Sequence, residues 1–102
     1  MVLIQVSSSE TVVVEGGLSF SVATLCQATG ASDDMVRSLV SEGLLRPTGN
    51  EPLDWCFDGA ALRQTRRAVR LARDLELNLA GLALVMDLLG EIEDLRARVQ
   101  RR

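Results

Sequence analysis

Apolar and polar positions change rhythm twice along the chain. Residues 2–6 and 11–15 are short β-branched runs separated by the polar SSSE of residues 7–10, which predicts a hairpin or a pair of edge strands before Gly16 and Gly17 interrupt the pattern. Such an arm either closes the core or leaves an edge for another chain. From Ser21 the rhythm turns helical. Ser21 suits the N-cap of a short helix carrying Val22, Leu25 and Cys26 inward, and Gly30 suits its end. Ser32 caps the next helix. There Asp33 and Asp34 complement the dipole, while Met35, Val36, Leu39 and Val40 form an apolar stripe that Gly43 stops. The helix, glycine, helix spacing is the skeleton of a helix-turn-helix. Leu44 and Leu45 then predict a strand, RPTGNEP of residues 46–52 a turn-rich loop, and residues 53–57 a returning strand, together a small wing.

Two longer helices follow. Asp58 caps one from residue 59 to about residue 75, in which Leu62, Thr65, Val69 and Ala72 alternate with Arg63, Arg66, Arg67, Arg70 and Arg73. Asn78 caps another that runs to the C-terminus. In it Val85, Leu88, Ile92, Leu95 and Val99 advance by steps of three and four, an a/d seam of about two heptads flanked by Glu91, Glu93, Asp94, Arg96 and Arg98. Leu82, Met86 and Leu89 make a second apolar edge that should dock on the body. The seam fits either an intramolecular core or a dimer contact. The expected fold is mainly α with a small β wing or hairpin: an arm over residues 1–17, a winged helix-turn-helix body over 18–77 and a C-terminal helix over 78–102, in one compact domain.

A chain of 102 residues suits one small domain. Hydrophobic residues make up 47%, yet Phe20, Trp55 and Phe57 are the only aromatics, so aliphatic packing must carry the core. No apolar stretch approaches the ~20 residues that cross a bilayer, and the initial MVLIQV gives way to SSSE rather than to a signal-peptide core, which points to the cytoplasm. Histidine, tyrosine and lysine are absent, and all 11 basic residues are arginine. Without histidine the chain has neither the usual proton shuttle near neutral pH nor an imidazole metal ligand. Cys26 and Cys56 stand far apart with no clustered partners and read as buried apolar side chains rather than as a disulfide or a metal site. Ser7, Ser8 and Ser9 have no histidine to activate them. These features argue against an enzyme, and no cofactor or metal is expected.

Charge changes the picture of the helix-turn-helix. Residues 1–58 hold two arginines against eight carboxylates, a net −6, whereas residues 59–102 hold nine arginines against six, a net +3. Phosphate neutralisation supplies most sequence-independent DNA affinity, so the segment where DNA would lie has the wrong sign. The run over residues 20–47 resembles the MerR kind of helix-turn-helix. MerR regulators that bind DNA generally follow patterns such as LRYYE-x-x-GLL and, in the wing, YR-x-Y. Here Val36-Arg37-Ser38-Leu39-Val40-Ser41-Glu42-Gly43-Leu44-Leu45 keeps one arginine and no tyrosine, and Asp54-Trp55-Cys56-Phe57 has neither. The phosphate and base contacts are missing, so DNA is disfavoured.

DWCFD at residues 54–58, RAVRL at 67–71 and LEL at 75–77 together resemble the CbpM family of chaperone modulators. The match extends upstream through Leu25-Cys26-Gln27 and Glu42-Gly43, downstream through residues 82–95, and covers residues 18–99. The strand-like residues 2–15 depart from the family pattern. The resemblance implies a MerR-like winged fold that binds the J-domain of a CbpA- or DnaJ-type co-chaperone and blocks its engagement with Hsp70. Complementary charge would then speed encounter with a basic J-domain helix.

The expected partner face combines Asp33, Asp34, Glu42, Asp54 and Asp58 with apolar anchors from Leu39, Trp55 or Phe57. Each has a structural alternative: the aspartates suit helix N-termini, and the aromatics suit the core. Arg67 and Arg70, inside RAVRL, either belong to a solvated face or reach an acidic group on the partner. Val85, Leu88, Ile92, Leu95 and Val99 are the dimerisation candidates. The competing functions are a MerR-type DNA-binding transcription regulator using its basic half, and a structural adaptor that dimerises through that seam.

Overall fold

In the computed structural model, which describes residues 4–6, 11–14 and 17–101 and the side chains of 18–101, every α-helix starts on a side-chain oxygen. Each oxygen satisfies an amide that the first helical turn leaves unbonded. Ser21 Oγ accepts from the Thr24 amide at 3.1 Å to open α1 (Val22–Thr29), and Ser32 Oγ accepts from Met35 at 3.0 Å to open α2 (Asp33–Ser41). Asp58 Oδ1 takes the Ala61 amide at 2.9 Å ahead of α3 (Gly59–Asp74). Asn78 Oδ1 takes the Gly81 amide at 2.7 Å ahead of α4 (Leu79–Gln100). These are the four caps the sequence predicts. Gly30, at φ 81°, ends α1 in the left-handed conformation that glycine adopts without strain.

The N-terminal segment forms more sheet than expected. Strands β1 (Ile4–Val6) and β2 (Thr11–Val14) pair antiparallel with Ile4 opposite Val13, and a third strand, β3 (Gly17–Phe20), adds to β2 with Val14 opposite Gly17. The sheet order is β1-β2-β3. Gly17 therefore begins a strand where the sequence suggests an interruption, and Phe20 ends that strand instead of opening the helix-turn-helix. The remaining residues of the predicted arm, 1–3, 7–10 and 15–16, lie outside the described residues.

The predicted wing is also corrected. Leu44 and Leu45 do not form a strand, because both of their amides are already committed to the Leu39 carbonyl, at 2.9 and 3.2 Å. With Gly43 at φ 79° they close the C-terminus of α2, an arrangement in which a following apolar side chain packs back on the helix. Leu45 is accordingly buried. The returning strand is shortened as well: Pro52–Asp54 is a 3₁₀ turn, held by the Asp54 amide on the Glu51 carbonyl at 2.8 Å. Only two isolated bridges remain, Thr48 with Cys56 and Phe20 with Phe57. Phe20 and Phe57 exchange both backbone hydrogen bonds, at 2.8 and 2.7 Å, which ties β3 to the wing.

Gly49 is the tightest point of the wing. At φ 103°, a Cβ there would lie 2.5 Å from the Asp54 backbone oxygen, and backbone cannot step aside as a flexible side chain can. Gly49→Ala should cost about 1–3 kcal/mol by forcing a sparsely populated backbone against that carbonyl. Thermal unfolding followed by circular dichroism should show the loss; an unchanged midpoint would mean that the turn relaxes freely.

The core gathers one face of every α-helix. Leu25 of α1, Val36 and Leu39 of α2, Leu45, Phe57, Ala68 of α3 and Leu82 of α4 are all buried. Each large apolar side chain so buried contributes about 1.5–3 kcal/mol. On α3 the fully covered positions are the small ones, Ala61, Thr65 and Ala68, whereas Leu62, Val69 and Ala72 are only half-buried. Thr65 keeps its hydroxyl satisfied by donating to the Ala61 carbonyl at 2.7 Å. Small side chains there bring α3 close to α1, while α4 packs on α2 and α3 through Leu82, Ala83 and Met86. Glu76, at φ 52°, turns the chain between α3 and α4.

Candidate interaction surface

The acidic residues predicted to form one face are spread over the body. Asp33 and Asp34 lie exposed in the first turn of α2, and Glu42 lies at its other end, about 13 Å away along a nine-residue helix. Asp33 pairs with Arg37 one turn on. Asp54 is exposed in the 3₁₀ turn, and Asp58 is exposed but engaged as the cap of α3. Helix-terminus chemistry thus accounts for Asp33, Asp34 and Asp58 without a partner.

The predicted apolar anchors separate more sharply. Leu39 and Phe57 are each 2% exposed and belong to the core, where they have no surface to offer. Trp55 is half-buried and stands edge-on to Phe57, with ring centroids 6.2 Å apart. Of these three, Trp55 alone reaches the outside, and its edge-to-face packing limits how far it can swing.

Arg67 and Arg70 also take different places. Arg67 Nη1 bonds Glu93 Oε2 at 3.0 Å, bridging α3 to α4 as a half-exposed pair worth at most about 1 kcal/mol. Arg70 is exposed, as are Arg63, Arg66 and Arg73 on the same helix.

Helix α4 is apolar on two opposite sides. Leu82, Ala83 and Met86 face the body, whereas Leu88, Ile92, Leu95 and Val99 are 47, 45, 57 and 66% exposed. Val85 is half-buried. At 100° per residue the stripe centred near Leu95 lies on the far side from Leu82. Leu84, 59% exposed, extends it by a turn and escaped the seam pattern because it occupies a flanking heptad position. A contiguous run of large apolar side chains facing solvent marks an interaction surface.

A feature absent from the sequence reading lies between α2 and α4. A cleft of about 330 Å³ is lined by Glu42, Ala80, Ala83, Leu84 and Asp87. A second, of about 360 Å³, continues from Asp87 along α4 past Glu91 and Asp94 and is bounded on the body side by Leu44 and Arg46. Asp87 lines both. No segment count reveals this, because Glu42 comes from the acidic half of the chain and the other carboxylates from the basic half.

Cys26 and Cys56 are both free; Cys26 is half-buried, and burial, with help from the nearby Asp33 carboxylate, pushes its thiol up, whereas Cys56 is exposed, against the expectation that both thiols are buried. Among the described residues no three His, Cys, Asp or Glu side chains are grouped to hold a metal ion, and no helix is long and apolar enough to cross a membrane.

A winged helix-turn-helix with few arginines, followed by a helix apolar on two sides, has known relatives. Residues 20–101 match the family model described as MerR HTH family regulatory protein. The chaperone modulatory protein CbpM of Pseudomonas putida strain GB-1 is 39% identical over 89 residues, which cover 87% of this chain and 84% of that protein. CbpM of Pseudomonas entomophila is 38% identical, and CbpM of Coxiella burnetii strain Dugway 32%, over the same shares. At that identity over nearly the whole helical body, the chain belongs to the MerR-type helix-turn-helix family and, within it, to the CbpM chaperone modulatory proteins.

Proposed function

We propose that the protein binds the J-domain of a CbpA- or DnaJ-type co-chaperone and inhibits its action with Hsp70. The observation that carries this reading is the relationship to chaperone modulatory proteins across 87% of the chain. The charge distribution supports it: the helix-turn-helix and wing retain only Arg37 and Arg46, and Arg37 is occupied by Asp33. A J-domain presents a basic helix to Hsp70, and an acidic protein would compete for it. In this reading the protein acts by occupancy in the cytoplasm, without catalysis or cofactor. The body over 18–77 and the helix over 78–102 supply the contacts. Two free cysteines suit a reducing compartment.

The reading includes a homodimer through the exposed stripe of α4. Heptad spacing supports it, and so do the flanking Glu91, Arg96 and Arg98, which supply both signs of charge to a facing copy.

One experiment separates this function from a DNA-binding regulator that uses the exposed arginines of α3. Titrating an isolated J-domain and a double-stranded DNA against the protein at the same ionic strength should give saturable J-domain binding and at most weak DNA binding. Matching salt matters because both complexes would weaken as it rises. Tight DNA binding with no J-domain binding would reverse the assignment, and binding to neither would leave the dimeric adaptor.

A further inference from the structure

The two clefts that meet at Asp87 form one trough between the α2 terminus and α4. Its walls have distinct chemistry. Ala80, Ala83 and Leu84 give it an apolar first part, and the buried Met86 sits beneath the second. The rim is acidic: Asp87, Glu91 and Asp94 recur on one edge of α4 at spacings of four and three, one carboxylate per turn, with Glu42 across from Asp87. All four are exposed, and among the described residues none of them has an ion-pair partner. Glu93, which also lines the trough, is neutralised by Arg67, and Arg46 is the sole cation on the lining.

That arrangement differs from a solvated charged face. A solvated face of a helix commonly interleaves both signs, and its charges pair with their own neighbours. Here Asp87, Glu91 and Asp94 face a concave space with apolar surface beside them; the carboxylates span about 10 Å of α4, and the trough as a whole about 20 Å from Ala80 to Asp94. A cylinder of that length is a helix of about four turns. Its complement is fixed by the same geometry: a helix with Lys or Arg on successive turns of one edge and small or aliphatic side chains beside them.

We propose that this trough, rather than the aspartates of α2 and the wing, is where the protein receives a basic helix of its partner, and on the reading above that helix belongs to the J-domain. The exposed apolar stripe of α4 borders the trough, with Leu84 common to both. Encounter would be steered by the unpaired carboxylates, and the apolar floor would hold the bound helix.

The test compares two variants with equal charge change. Asp87→Lys with Glu91→Lys reverses the trough, and Asp34→Lys with Asp54→Lys reverses two exposed acids outside it. Both pairs are solvent-exposed, so the fold should survive, and circular dichroism and sedimentation check fold and oligomeric state. Titration with an isolated J-domain should show affinity falling at least about tenfold for the trough pair and less than about threefold for the other, since charges outside the docked interface act only on encounter while charges beside a docked helix act on the complex as well. A J-domain whose basic helix carries Glu in place of Lys or Arg should bind the reversed trough better than it binds the unaltered protein. An unchanged affinity for the trough pair, an equal loss for both pairs, or no recovery with the reversed J-domain would overturn the trough while leaving J-domain binding intact. If the unaltered protein binds no J-domain, the functional reading itself falls, and the trough with it.

Discussion

Phe57→Ala should lower the unfolding midpoint by about 10 °C or more, the largest effect expected from any single truncation of the body. The ring is 2% exposed, and it joins three parts of the fold: the wing that carries it, β3 through the Phe20 bridge, and the helical core. Removing a buried phenylalanine costs about 3–5 kcal/mol, from lost transfer energy and from the cavity left behind. A domain of this size is stable by only about 5–15 kcal/mol, and each 1 kcal/mol moves its midpoint by about 4–8 °C. Differential scanning calorimetry gives the number directly. Trp55, packed edge-on at 6.2 Å, supplies a fluorescence signal for the same loss of packing. A midpoint lowered by only a degree or two would mean that neighbouring side chains collapse into the space.

The elements that could be foreseen are those whose cause is local. Ser21, Ser32, Asp58 and Asn78 each make one hydrogen bond to an amide three residues on, a relation that nearby residues alone determine. Leu44-Leu45 illustrates the opposite case. Two adjacent leucines after a glycine look like the start of a strand, and only the destination of their amides, the Leu39 carbonyl, shows them to be the closure of a helix. Strand β3 was hidden for a related reason: Gly17 weakens strand propensity, and its pairing with Val14 is the kind of tertiary context that overrides propensity. The acidic cleft between α2 and α4 was not legible in the segment charges. Summing charge by segment assigns Asp87, Glu91 and Asp94 to the basic half, yet folding brings Asp87 into one cleft with Glu42.

The second large effect concerns self-association. Ile92→Asp should convert a dimer into a soluble monomer, and Leu88→Asp should do the same. Both side chains are roughly half exposed on the free chain, so a carboxylate there costs the monomer little. In a closed seam the same carboxylate would be buried without a partner, at a cost of several kcal/mol per chain by the ordinary penalty for an unpaired buried charge. Sedimentation equilibrium over a range of concentrations reads the outcome, with circular dichroism confirming that helix content persists. Monomeric behaviour of the unaltered protein at high concentration would remove the seam as a self-contact.

Residues 95–101 have every side chain exposed, so the last two turns of α4 have no body behind them. Isolated helices shorter than about 12–15 residues are marginal in water, because a first turn fixes many dihedrals for one hydrogen bond. The free end of α4 should therefore fray independently of global unfolding, which hydrogen exchange would read as amides that exchange faster than those of the core. Anything that covered this end would supply the free energy that completes the helix, so part of the folding of α4 would be deferred to assembly.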